Sequence, residues 1–190
     1  MMKKTTVIQY NAPTTLTFAL VSFLVLCLGF LTDGASTMKV FCVYRSPLTD
    51  VLTYPRFFTH VLGHSNFAHF SGNIMLMLVL GPTLEERYGS ATIFKTILLT
   101  AFISGLIQWL FFPHSALLGA SGIVFMMILM ASLGGSRGRG VPLTLILVFI
   151  IYVGGEVYDM FTASDNISHL THIIGGICGA VVGSGLRKGK

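Results

Sequence analysis

Four residues of this sequence have the types and spacing to do chemistry together: Ser121, His172, His69 and Asn73. Ser121 lies in "GASG", Gly119 to Gly122, inside the apolar run "LLGASGIVFMMILMASL". A serine hydroxyl is a weak nucleophile and needs a base to take its proton. His172, in "THIIGGICGAVVGSG", is the candidate base. Attack on a carbonyl creates an oxyanion, which needs hydrogen-bond donors. The side chains of His69 and Asn73 could supply them, with the Ser121 backbone N–H. At i and i+4 these two share one helix face. Asp159 and Asp165 precede the segment of His172, but nothing sets either behind its imidazole. A two-residue Ser–His arrangement is the simpler reading. Gly119 and Gly122 on either side of Ser121 suggest backbone that must come close to something.

Each residue also has a plain reading. Ser121 alone is a packing serine, and His172 alone is a polar bond between helices. His69 and Asn73 alone are a helix start at a membrane interface. Deciding between the two readings requires the elements that carry these side chains.

The chain has 190 residues, 53% hydrophobic and 10% charged, with mean hydropathy +0.79. A soluble domain carries about 25% charged residues. The expectation is an all-α, multi-pass membrane protein forming one domain over residues 1–190. Six apolar segments can be counted, at roughly 14–32, 69–84, 92–112, 119–133, 141–161 and 168–186. "MMKK" before the first resembles a signal peptide, but "LTDGAST" offers no clear cleavage site, so this segment reads as an uncleaved helix. With an even count, both termini share a side with Arg87, Lys95, Arg137 and Arg139. That side holds nine Lys and Arg residues; the other holds Lys39, Arg45 and Arg56. The bias puts both termini in the cytoplasm. The net charge of +5 follows from it and requires no nucleic acid. Cys27, Cys42 and Cys178 show no disulfide framework.

Depth then brings the four residues to one level. Counted up from the cytoplasmic boundaries, Ser121 and His172 each lie roughly 20 Å deep and Asn73 roughly 18 Å, with His69 one turn higher. In a core about 30 Å thick, all four sit below the outer surface. The fourth segment is too short to span, so "FFPHSALLG" must enter the membrane as non-helical chain and the helix must begin at Ser121. Such backbone is tolerated only against protein or beside a water-filled cavity. Gly175, Gly179 and Gly183 follow His172 at i+3, i+7 and i+11, giving a smooth face for close helix packing. If the fourth helix is its partner, His172 is carried to Ser121.

Other classes fit less well. All six histidines fall on the outer side, and His60 and His64 at i, i+4 could form a ligand pair. There is no H-E-x-x-H, so no metal is assigned. A histidine-based metal or proton carrier stays open if bound metal is found. A transporter would want intramembrane carboxylates or paired broken helices. Glu156 and Asp159 lie towards the end of the fifth segment, with no two-half symmetry.

The motifs together resemble the rhomboid intramembrane serine proteases. "FFTHVLGHSNFAHFSGN" is similar to that family's histidine-rich entry to helix two, ending in H-x-x-x-N. "GPTLEERYGS" resembles its cytoplasmic turn, "GASG" its G-x-S-G nucleophile motif, and "HIIGGICG" its H-x-x-G-x-x-x-G helix. The resemblance covers roughly residues 56–186. It implies a six-helix bundle with Ser121 as nucleophile and His172 as general base. It implies His69 and Asn73 at the oxyanion, Glu85 and Arg87 in a structural turn, and Gly119, Gly122, Gly175 and Gly179 in supporting roles. It implies no cofactor, and single-span membrane proteins as substrates, cut near the outer face of a bacterial cytoplasmic membrane. The alternative is a non-catalytic relative that binds membrane helices without cutting them. Pro55-Arg56 stands where the family often has Trp-Arg, which bears on how the first loop is seated. Neither the physiological substrate nor the oligomeric state is implied.

Overall fold

The computed structural model describes residues 9–134, 143–148, 150, 173–178, 180 and 181. Three helices are long and apolar enough to cross a membrane among these residues: α1 (Pro13–Leu31), α4 (Phe67–Tyr88) and α5 (Ser90–Phe111). Between α1 and α4 lie two short helices, α2 (Ala35–Val40) and α3 (Thr53–Thr59), and a 3₁₀ turn at His60–Leu62. α6 (Ser121–Gly134) and α7 (Leu143–Val148) follow, and 173–178, 180 and 181 are helical. The fifth and sixth segments lie largely outside the described residues.

Each boundary has a local cause. Proline opens α1, where its missing N–H costs nothing. Asn66 caps α4, its side chain accepting the His69 N–H at 2.8 Å. Gly89, at φ +82°, turns α4 directly into α5. The chain thus runs up α1, down α4 and up α5, and Glu85 ties the lower ends together. Its carboxylate accepts the N–H groups of Thr14 (3.1 Å) and Thr15 (2.7 Å) and the Thr15 hydroxyl (2.6 Å). This satisfies orphan donors at the start of α1 and sets a negative charge at the positive end of its dipole.

α6 is the core. Ile123, Met126, Met127 and Met130 are wholly buried. An apolar helix without a polar face belongs inside a bundle. At 14 residues it is about 21 Å long, short of a membrane core. Residues 112–120 lead into it as non-helical chain, as its length requires.

The long first loop is built on Arg56, which is 2% exposed. It donates to the Lys39 carbonyl (2.8 Å) and the Asp50 carboxylate (2.8 Å), and its guanidinium lies 4.7 Å from the Tyr44 ring centre. Arg56 and the Leu52 N–H together hold the Asp50 carboxyl below the usual carboxylate range. Pro55 fits because it falls in the first turn of α3, where no helical N–H bond is due. A second tie comes from α5. The Trp109 indole donates to Ser46 O at 3.0 Å, and Arg45 lies 4.2 Å over its ring. The strand pair β1 (Val43–Tyr44) and β2 (Ala116–Leu117) joins this loop to the chain that enters α6.

Candidate active site

Ser121 is the first residue of α6, on the turn that ends the non-helical entry. The geometry of that turn depends on Gly119. Its φ is +121°, a conformation that other residues adopt only under strain. A Cβ there would stand 2.6 Å from His69 Nε2, 2.7 Å from its Cε1, and 3.9 Å from Asn73 Nδ2. The backbone before Ser121 therefore lies close against the imidazole, with the Asn73 amide beside it. Helix α4 carries both side chains to this point through their i, i+4 spacing. The ring of His69 is oriented from its other side, where Nδ1 lies 3.2 Å from Ser65 Oγ. Asn73 is buried, and its Nδ2 has no hydrogen-bond partner among the described residues. A buried donor without a partner costs about 1–3 kcal/mol, and this one lies beside the turn that leads into Ser121.

The helix at 173–178 packs on the start of α6, backbone to backbone. A Cβ on Gly175 would overlap the Gly122 carbonyl oxygen, 2.7 Å from its carbon and 3.0 Å from its Cα. Gly175 thus meets α6 at the residue after Ser121. His172 and Gly179 lie outside the described residues, as do His169, Asp159 and Asp165.

The pair His60 and His64 has a different part from the one its spacing suggests. The helical run ends at Leu62 and Gly63 is extended, so the two residues do not share a helix face. His60 Nε2 lies 3.0 Å from the Ala101 carbonyl, and His64 Nδ1 lies 3.1 Å from that of Leu62. Burial pushes both imidazoles down to about 4, so both are neutral near pH 7. Among the described residues no three metal-donor side chains come together. His60 instead holds the turn before Ser121: its carbonyl accepts the Gly119 N–H at 2.9 Å. Sequence reasoning missed this contact, because a backbone acceptor leaves no mark on residue type. A cavity of about 10 Å³, room for one water, lies against Ser121 and is lined by His60, Thr100 and Ser104. The Cys42 thiol, in the first loop, is fully buried and pushed up to about 11. It is inert at neutral pH.

The family described as "Rhomboid domain" matches residues 52–189, which includes every residue of this site. The chain belongs to the rhomboid family. Among relatives, it is 30% identical over 138 residues to Rhomboid-related protein 1 of Caenorhabditis elegans, covering 67% of this chain and 38% of that protein. It is 27% identical over 154 residues to Rhomboid protease GlpG of Serratia proteamaculans (strain 568), covering 78% and 54%. Rhomboid-like protein 11, chloroplastic, of Arabidopsis thaliana is 26% identical over 141 residues, covering 67% and 50%. The chain therefore spans about half the length, or less, of these curated relatives. Like the rest of the rhomboid family, it is an integral membrane protein.

Proposed function

We propose that this rhomboid-family chain is a serine endopeptidase that cuts transmembrane-helix substrates inside the bilayer. Ser121 Oγ attacks the scissile carbonyl carbon while the His172 imidazole takes its proton. The oxyanion is met by His69, Asn73 and the Ser121 N–H. As the tetrahedral intermediate collapses, His172 returns the proton to the leaving amine. A water, activated by the same imidazole, then hydrolyses the acyl-enzyme and regenerates the Ser121 hydroxyl.

One observation carries this reading: the turn before Ser121 lies against His69 and Asn73, while the turn after it lies against Gly175. His172 precedes Gly175 by three residues, one helical turn in sequence. A packing serine would not need the His69 and Asn73 side chains brought against the turn before it and a glycine backbone brought against the turn after it. The same reading takes residues 1–190 as one six-helix domain with both termini cytoplasmic, in a bacterial inner membrane. Its substrates are single-span proteins, cut near the outer face.

The test uses the purified chain in detergent with a labelled single-span substrate and, separately, a fluorophosphonate probe. Wild type should cut and be labelled; Ser121→Ala should do neither while keeping its melting temperature. Equal labelling of both forms would remove Ser121 as the nucleophile. Binding of the substrate without cleavage would establish the non-catalytic alternative.

A further inference from the structure

A groove of about 530 Å³ runs between α1 and α5, away from Ser121. Thr14 and Val21 of α1 and Ser90, Phe94 and Leu98 of α5 form its walls, and Leu62 of the first loop helps roof it. Its dimensions restrict what can fill it. The α5 wall extends from Ser90 to Ala101, roughly 16 Å at 1.5 Å per residue. Half of a hydrocarbon core about 30 Å thick is about 15 Å. The groove begins at the membrane boundary where Glu85 ties α1 to α4, and the first loop closes it near mid-membrane. A partner's spanning helix needs the full thickness and would run into that roof. An acyl chain from one leaflet needs only half.

The open end has the chemistry of a headgroup site. Thr14, Thr17 and Ser90 line it, but their hydroxyls already bond within the protein, to the Ser90 carbonyl, Tyr10 and Glu85, so attraction for a phosphate comes from basic side chains. Lys95 is exposed and lies one turn beyond Ala91 on the groove face of α5. Arg87 is exposed just before α5 begins. Long cationic side chains near a helix end extend to the interface and meet phosphate there. We propose that the groove is a site for one anionic phospholipid of that leaflet, its acyl chain between α1 and α5 and its phosphate on Lys95 and Arg87. The bound chain also supports the roof. Val61 follows His60, whose ring bonds to the Ala101 carbonyl of the groove wall and whose own carbonyl holds Gly119. Through these contacts the lipid steadies the turn before Ser121, a consequence that rests on the proposed function; occupancy itself does not.

Native mass spectrometry of the full chain tests occupancy. The protein in detergent is incubated with phosphatidylglycerol or phosphatidylcholine and stripped by graded activation. One phosphatidylglycerol should survive activation that removes all phosphatidylcholine. Ala91→Trp, which fills the groove, should weaken retention at least tenfold, and Lys95→Gln should reduce phosphatidylglycerol to the phosphatidylcholine level. Val79→Trp, on an exposed face of α4, should retain the lipid, as should Ser121→Ala, whatever the catalytic outcome. If Ala91→Trp fails to fold, quenching of Phe94→Trp by brominated acyl chains gives the same answer above the constant Trp109 signal. Equal retention by wild type and a folded Ala91→Trp would overturn the proposal, as would equal retention of the two headgroups. A dimer abolished by Ala91→Trp would also overturn it, giving the groove to a second copy of the chain.

Discussion

Replacing Gly175 with alanine adds one methyl group at the point where two helix backbones touch. The new carbon would overlap the Gly122 carbonyl oxygen and stand 2.7 Å from its carbon. Carbon atoms rest at about 3.5–4.0 Å, so the helices must part by about 1 Å. No rotamer change can relieve this, because every atom in the way is backbone. Overpacking of this kind costs about 1–3 kcal/mol, which a folded bundle can survive. Catalysis is more sensitive: a misplacement of about 1 Å between reacting groups can cost on the order of a hundredfold in rate. Gly176 provides the control. A Cβ there meets only the tips of side chains, Leu129 Cδ1 at 3.0 Å and Phe125 Cδ1 at 3.2 Å, which can shift by a few tenths of an ångström. Gly175→Ala should therefore cut a labelled single-span substrate about a hundredfold more slowly in liposomes, with a modest drop in melting temperature. Gly176→Ala should stay within a few-fold of wild type. Wild-type cleavage by Gly175→Ala, or equal losses at both positions, would show that this contact does not set the reacting distance.

Three further substitutions or conditions probe the rest of the site. Gly119→Ala puts a side chain at φ +121° and against the His69 ring, so it should lose about 1–3 kcal/mol of stability and nearly all probe labelling of Ser121; rapid labelling would refute the close approach. Asn73→Ala should lower kcat by roughly 10²–10³ with a smaller change in KM, as for removal of an oxyanion donor; a lower melting temperature with normal turnover per folded molecule would make it a packing residue. Acid should destabilise the fold through His60 and His64. Their folded values, about 4, lie below the unfolded 6.5, so the folded state prefers the neutral rings. That stability is complete above pH 6.5 and is lost as pH falls toward 4, on the order of 3 kcal/mol for each ring. Melting temperature measured from pH 7.5 to 4.5 should fall through this window, and a flat profile would mean that the rings reach water.

The first three membrane segments and the start of α6 were legible in the sequence because each depends on local quantities. A hydrocarbon core demands a run of apolar residues, and a run too short to span forces the preceding chain to be non-helical. The i, i+4 spacing of His69 and Asn73 is local too, so their shared face followed once α4 was placed. The long stretch between α1 and α4 was not legible. Its order depends on Arg56 reaching Lys39 and Asp50, and on Trp109 reaching back to Ser46, bonds between residues far apart in the chain. The i, i+4 spacing of His60 and His64 could not show where the helical turn stops, for a related reason: a Cβ on Gly63 would strike Phe41, and the helical run ends at Leu62, before the second ring. Sequence also marked Gly119 and Gly175 as small, but smallness alone does not name a neighbour. Only the tertiary structure decided that one lies on His69 and the other on Gly122, because backbone contact is chosen by how helices cross, and every residue type offers the same carbonyl.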